Sequence, residues 1–409
     1  MSGWPKFNFS RSRLRGSSIR AINPRFPYSN AGLDLAFVLN RYALQGSPMS
    51  TYTTLSAFLA GVGGTFTRAS SGTYFDATGT LQTAASNVPR LDYNPATLAA
   101  RGYLAEEART NDALWNRDLT NAAWVKVTAT AAKNQTGIDG AANSASSLTA
   151  TAGNATCLQT VTLGSSARFQ SAYVKRLVGS GAIQMTTDNG ATWTAVTVTS
   201  AWTRVTIPSQ TVTNPTFGFR VVTSGDSIAI DCVQNETGAF ATSPIPTTNA
   251  AVARAADVLS LPTTGWYNAS AGSWFAEFLS FDATSTVQRV FSASDGTTAN
   301  LNEQIFNGTG NSTVAQLVSG AARSSGGVGG QTPVNAINKY AHGADASGVT
   351  SAANGNTFSA LVSSDTMPTI TTLHIGNRFD GARPMNGLIH RIFYVPSREA
   401  NATIQGWTV

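Results

Sequence analysis

The stretch from residue 66 to residue 111, FTRASSGTYFDATGTLQTAASNVPRLDYNPATLAARGYLAEEARTN, admits few folds because turn-forming residues keep interrupting it. Tyr74-Phe75 runs into Asp76-Ala77-Thr78-Gly79 and leaves through Thr80-Leu81-Gln82. That is the pattern of a hairpin whose Asp opens the turn and whose Gly accepts a positive φ, so its two strands are antiparallel. Asn87-Val88-Pro89 then breaks the ladder, and Asn94-Pro95 turns the chain before Gly102-Tyr103-Leu104. Proline has no N–H to give a sheet and restricts the residue before it. Such text permits strands and tight turns and leaves little room for a long helix.

The rest of the chain agrees. Only 12% of its residues are charged, while Gly numbers 37 and Thr, Ser and Ala abound, a balance that favours short strands over solvated helices. At 409 residues, two or three domains of about 100–200 residues are expected. Leu33-Asp34-Leu35-Ala36-Phe37 alternates and reads as a first strand. Leu55 to Val62 is apolar and fits either a short helix or a buried strand. From Ala113 to about Ala253 come evenly spaced strands, with Phe169/Ser171/Tyr173, Phe217/Phe219/Val221 and Ile228/Ile230/Cys232 each on one face at period two. A half-buried antiparallel sandwich follows from that pattern. Phe240 to Thr248, with Pro244 and Pro246, reads as its exit. A second sandwich begins near Val258, with strands at Trp274–Phe278, Leu373–Arg378 and Gly387–Val395. Pro396 closes the last of these, and Ser397 is placed to cap a short terminal helix. Ser319 to Gly330 is rich in Gly and Ser and reads as a mobile loop.

Charge is unevenly placed. Lys6, Arg11, Arg13, Arg15, Arg20 and Arg25 lie in the first thirty residues without an acid among them, and the 21 remaining bases balance the 21 acids. The same segment holds Trp4, Phe7 and Phe9 between scattered prolines, too many aromatics for an ordinary solvated tail and too few for a core of its own. It reads as an anchoring arm that docks on another protein, strand addition being one route. Its bases do not form a compact block, which makes nucleic acid the weaker partner. No apolar run approaches the ~20 residues that span a bilayer, and no hydrophobic block follows the basic start as in a secretory signal.

Catalytic text is sparse. His342, His374 and His390 are far apart and outside any metal-binding spacing. Cys157 and Cys232 allow one pairing and read as buried thiols. There is no nucleophile elbow or phosphate-binding loop, and no cofactor is indicated. Glu106-Glu107 is an adjacent acidic pair, but neighbours on a strand point to opposite faces, so a structural pairing with Arg90 or Arg109 is the better reading. Sugar binding asks for exposed aromatic faces beside amides and carboxylates. Trp193, beyond the turn of Asp188 and Asn189, is one candidate, with Trp266, Tyr267, Arg378 and Asp380 as loop candidates in the second sandwich. Trp202 sits in strand text and is expected in the core.

Five blocks of the opening stretch also resemble, in order, a module of phage head-spike and tail-fibre proteins that recurs in gene transfer agent spikes. They are Phe66-Thr67-Arg68-Ala69-Ser70, Tyr74-Phe75, Gly79 to Ala84, Val88-Pro89-Arg90 and Glu106 to Asn111. The strand order after Ala123-Trp124 resembles the jelly rolls of carbohydrate-binding modules, and the glycine-initiated last strand resembles laminin-G or concanavalin-like domains. The expected fold is therefore mostly β. An extended basic arm (1–32) precedes the family module (33–111), a jelly roll (112–253) and a laminin-G or concanavalin-like sandwich (254–409). What the resemblance implies is a homo-oligomeric subunit on a virion surface, held by other virion proteins and meeting host cell-surface polysaccharide, without catalysis. Two alternatives stay open: an architectural base or decoration subunit without glycan affinity, and a depolymerase tailspike.

Overall fold

The strand Gly387–Val395 pairs on one side with Ala271–Ser280 and on the other with both Leu33–Ala36 and Ala100–Ala105. The last strand of the chain therefore holds the first. The computed structural model describes residues 28, 30–45, 49–282, 287–307, 311–328, 333–360 and 367–409. The arm residues Trp4, Lys6, Phe7, Phe9, Arg11, Arg13, Arg15, Arg20 and Arg25 lie outside them.

Among the described residues, ten strands join the sheet around Gly387–Val395, and seven form a second sheet running from Ala321–Val328 to Thr65–Thr67. The two sheets face each other across one core, where Leu33, Leu35, Tyr42 and Tyr103 from the early chain pack with Trp266, Trp274, Phe291, Ile375 and Tyr394 from the late chain. The expected division between 33–111 and 254–409 is corrected by this pairing, since both segments build a single sandwich. Alternation in Ala271–Ser280 explains the layering: Trp274, Ala276 and Phe278 face the core, while Phe275 faces outward. The outward face is not wet. Phe275, Phe393 and Val395 are covered there by Ile404 and Trp407 of the terminal helix Asn401–Trp407, with Tyr28 stacked 4.9 Å from Phe393. Two-sided burial also accounts for Asp34 within Leu33–Ala36, which meets Arg391 at 2.6 Å with both side chains fully buried. The helix begins later than expected: Ala400 is its N-cap, and the Ser397 hydroxyl turns to Glu399 instead.

Leu55–Val62 is a helix, capped by the Thr54 side chain, which accepts from the Ala57 N–H, and ended by Gly63 at φ +70°. The hairpin forms as expected from Gly72–Phe75 and Leu81–Ala84. Asp76 Oδ1 accepts from the N–H groups of Thr78 and Thr80 at 2.9 and 3.1 Å, and Gly79 sits at φ +76°. The segment expected as a loop from Ser319 is instead largely the strand Ala321–Val328, paired antiparallel with Asn311–Val318.

Residues between Asn111 and Val252 form the other sandwich. Ala145–Ala150, Ser227–Thr237, Ser166–Val178 and Thr203–Val212 follow one another in one sheet; Ala155–Thr160, Thr216–Val221, Ile183–Thr186 and Thr194–Val196 do so in the other. Counted in chain order, these eight strands run 1-8-3-6 and 2-7-4-5, the interlocked Greek keys of a jelly roll. Val125–Val127 and Ala129–Gln135 extend the two sheets. Trp124, Phe217, Phe219, Ile228 and Ile230 fill the core, and Cys157 and Cys232 are both free and buried. The jelly roll leaves and rejoins the large sandwich through a two-stranded stem in which Arg109–Asn111 pairs with Val252–Arg254.

Candidate functional site

Residues of the blocks 66–70, 88–90 and 106–111 meet Arg254 and Asp257 at the junction of the two sandwiches, and their charged side chains meet inside it. Arg68 Nη1 donates to Asp257 Oδ1 at 3.0 Å. Arg90 Nη2 lies 2.5 Å from Asp257 Oδ2 and 2.9 Å from Glu106 Oε2, and Arg254 Nη1 lies 3.0 Å from that same Glu106 oxygen. All five side chains are buried. Three guanidinium groups share two carboxylates; other donors go to the carbonyls of Ser70, Thr73, Ala85 and Glu107 and to the Ser243 hydroxyl, while among the described residues Arg90 Nε and Arg254 Nε are buried without an acceptor. Burial works to raise the Glu106 carboxyl, but Arg254 and Arg90, with the Ser243 hydroxyl and N–H, outweigh it and hold it at about 2. Glu107 turns elsewhere, to Arg109 at 2.5 Å and to the Asn386 side-chain amide. The acidic pair, just past the strand Ala100–Ala105, is thus split between two structural bridges. Asn111 completes the junction, donating to the carbonyls of Val233 and Ile245.

Above this clasp lies a groove of about 600 Å³, within the ordinary size of a ligand site. The hairpin and its sequel supply Tyr74, Phe75, Asp92 and Arg101; the jelly roll supplies Phe169, Tyr173, Trp202 and Arg204; and its exit segment supplies Phe240 to Pro244, with Phe281 at the rim. Phe75 docks the hairpin against the jelly roll, its ring 5.7 Å from that of Tyr173 in an edge-on contact. Tyr74, Phe169, Trp202 and Phe281 are half-buried, leaving part of each ring open. Polar groups stand between the rings. Arg101 donates to Asp92 at 3.1 Å and lies 5.6 Å from the Phe281 ring centre. Burial pushes the Asp92 carboxyl up, with Arg101 opposing. Rings flanked by hydrogen-bonding groups in an open cleft can hold a sugar by stacking and hydroxyl contacts. Glu106 and Asp92 are the carboxylates lining this groove, and both are already engaged by arginines.

The residues nominated from sequence fare differently. Trp266 is a core residue, 3% exposed, with its Nε1 donating to the Pro262 carbonyl at 2.8 Å and its ring against Trp274 and Tyr394. It presents no face to a sugar, which corrects its nomination. Its neighbour Tyr267 is half-buried against the same core, its hydroxyl donating to the Pro368 carbonyl. Trp193 does stand beyond the turn, with the Arg220 guanidinium, steadied by Gln184, 4.3 Å over one face of its ring, but it lies outside the groove. Asp188 is occupied within the turn by the Thr186 hydroxyl and the Thr192 N–H, while Asn189 is exposed at φ +61°. Arg378 and Asp380 close on each other in a two-pronged pair, and that hydrogen bonding holds the Asp380 carboxyl at about 2. These positions do not gather into one site. Trp202, expected in the core, lines the groove instead. The missed signal is its place just before the strand Thr203–Val212, beside the hairpin rather than between the sheets. Among the described residues no cluster of His, Cys, Asp and Glu could hold a metal ion.

No family model matches the chain, and no curated protein does. Among solved structures it is similar to the CBM40 domain of the Ruminococcus gnavus IT-sialidase bound to α2,3 sialyllactose, at 15% identity over 34% of this chain and 83% of that one, with a TM-score of 0.31. It is similar also to NanB sialidase from Streptococcus pneumoniae, at 13% identity over 36% of this chain and 26% of that one, TM-score 0.31. Domain 4 of AbnA, a GH43 extracellular arabinanase from Geobacillus stearothermophilus in complex with arabinotriose, matches at 14% identity over 42% of this chain and 81% of its own, TM-score 0.32. Likenesses at this level leave fold and ligand to be read from the chain itself.

Proposed function

We propose that this chain is a spike or fibre subunit of a phage or phage-like particle that attaches by its basic N-terminal arm and adheres to host surface glycans through the groove between its sandwiches. The observation that carries the reading is the groove itself, whose open rings stand directly above the residues that resemble the spike and fibre module. The engaged state of Asp92 and Glu106 supports binding rather than hydrolysis, since a free carboxylate pair is what glycoside cleavage asks for. Each sugar contact is weak, so useful avidity comes from several copies in a symmetric spike.

The test is adsorption. Protein lacking residues 1 to 25, which keeps Tyr28 on Phe393 and Trp407, should compete with particles for the host surface yet be missing from purified particles. Normal incorporation of the truncated protein would sink the role given to the arm. Failure of both truncated and intact protein to compete would sink the role in adhesion.

A further inference from the structure

On the wall that the jelly roll gives to the groove, Tyr173 and Trp202 each lie beside a cation: Arg204, which lines the groove, and Lys175, which does not itself line it. Tyr173 and Arg204 are partners across adjacent strands, with the Arg204 guanidinium 5.7 Å from the Tyr173 ring centre. Two positions further along the first strand, Lys175 Nζ lies 4.8 Å over the ring of Trp202. Neither cation has a carboxylate within ion-pair distance among the described residues. Arg204 spends Nη2 on the Ser171 hydroxyl at 3.0 Å and the Thr242 carbonyl at 2.5 Å, both uncharged, and its Nε is buried without an acceptor.

The carboxylates nearby are committed elsewhere. Asp92 takes Arg101, Asp231 takes Arg117, and Glu106 takes Arg90 and Arg254. Glu236 accepts from Thr242 and Gln234 and acts on Arg204 only through space. A guanidinium with donors to spare, in a groove of stacking rings, matches a carboxylate or phosphate better than a hydroxyl. We infer that the groove selects an acidic glycan, a sugar bearing a carboxylate or phosphate that takes Arg204 while its ring lies against Trp202, with Lys175 adding a second positive charge. This rests on the adhesion reading above.

The intact protein is titrated with polygalacturonate, a phosphomannan, fully methyl-esterified pectin and dextran, and its retention on host surface polysaccharide is measured alongside. Binding to either acidic polymer, absent for the ester and dextran, is expected, and which polymer binds separates carboxylate from phosphate. Arg204→Gln should weaken it about tenfold or more, the loss of a charge-assisted hydrogen bond. Arg204→Lys should keep part of it, and matched melting curves show that the variants fold. Equal binding to ester and acid, or an Arg204→Gln variant as tight as the parent, overturns the acidic assignment and leaves adhesion standing. Retention on host polysaccharide with no binding to either acidic polymer also overturns it. Binding to none of these materials overturns the adhesion reading with it.

Discussion

Glu106 shows what a single buried side chain does here and how far its neighbours could be foreseen. Its pairing with Arg90 is one of two the sequence leaves open, and Arg254 and Asp257 come from beyond an inserted domain, so no local pattern announces them. Glu106→Ala leaves three buried guanidinium groups, Arg68, Arg90 and Arg254, with Asp257 as their one carboxylate and Arg254 without an ion pair, and a loss of about 3–5 kcal/mol is expected. Denaturant unfolding at neutral pH checks this, and a loss below about 1 kcal/mol would contradict the role of the clasp. Trp202 lines the groove and Trp266 the core, each against what the sequence leads one to expect, and for one reason. A lone Trp carries no periodicity, so its fate depends on what the fold brings against it. His342, which the sequence places only outside any metal-binding spacing, is fully buried, neither ring nitrogen has a partner, and burial pushes its imidazole down to about 3. The unfolded histidine takes up its proton near 6.5 and the folded one only near 3. Between those values the unfolded state binds more protons, so His342 lowers stability as pH falls through the window, by up to about 1.4 kcal/mol per pH unit. His342→Phe should remove that slope from a stability-versus-pH profile; an unchanged profile would show the imidazole to be accessible.

At the scale of elements, turn chemistry was the most legible part. The hairpin at Asp76–Gly79 and the strands of the jelly roll follow from residue type and period two. Apolar runs were less so: Leu55–Val62 had no periodicity to separate helix from strand, and the cap of Thr54 with Gly63 decided it. The Gly/Ser text after Ser319 forms an edge strand instead of a loop because ladder bonds to its one neighbour, Asn311–Val318, can hold a strand whatever its side chains. Gly102 marks where an element needs glycine. It lies at φ +94° in Ala100–Ala105, and a Cβ there would press into the Ile389 carbonyl oxygen of the last strand. Gly102→Ala should cost about 2 kcal/mol or more, combining positive-φ strain with a displaced strand. Thermal unfolding tests it, and a parent-like melting temperature would mean that the strand yields freely.

At the scale of the whole molecule, the class was legible and the connectivity was not. Composition and period announce antiparallel sandwiches, but nothing local shows that residues 33–105 and 258–409 share one core, because that pairing is set by the register of Leu33–Ala36 on Gly387–Val395. A fragment of residues 254–409, the unit that composition alone would cut out, lacks the strands that cover one edge of its last strand. It should be insoluble or lack a cooperative transition, and a cooperatively folding fragment would contradict the shared core. The groove exists only where that sandwich meets the jelly roll, so adhesion is a property of the intact chain. The most direct measurement is binding of intact protein and of Trp202→Ala to host capsule and lipopolysaccharide fractions, with released sugars quantified in the same tubes. The account predicts retention of the parent, a loss of about tenfold or more in the variant through the missing ring face, and no released sugar. Parent-like retention of Trp202→Ala, or sugar release by the parent, would contradict it.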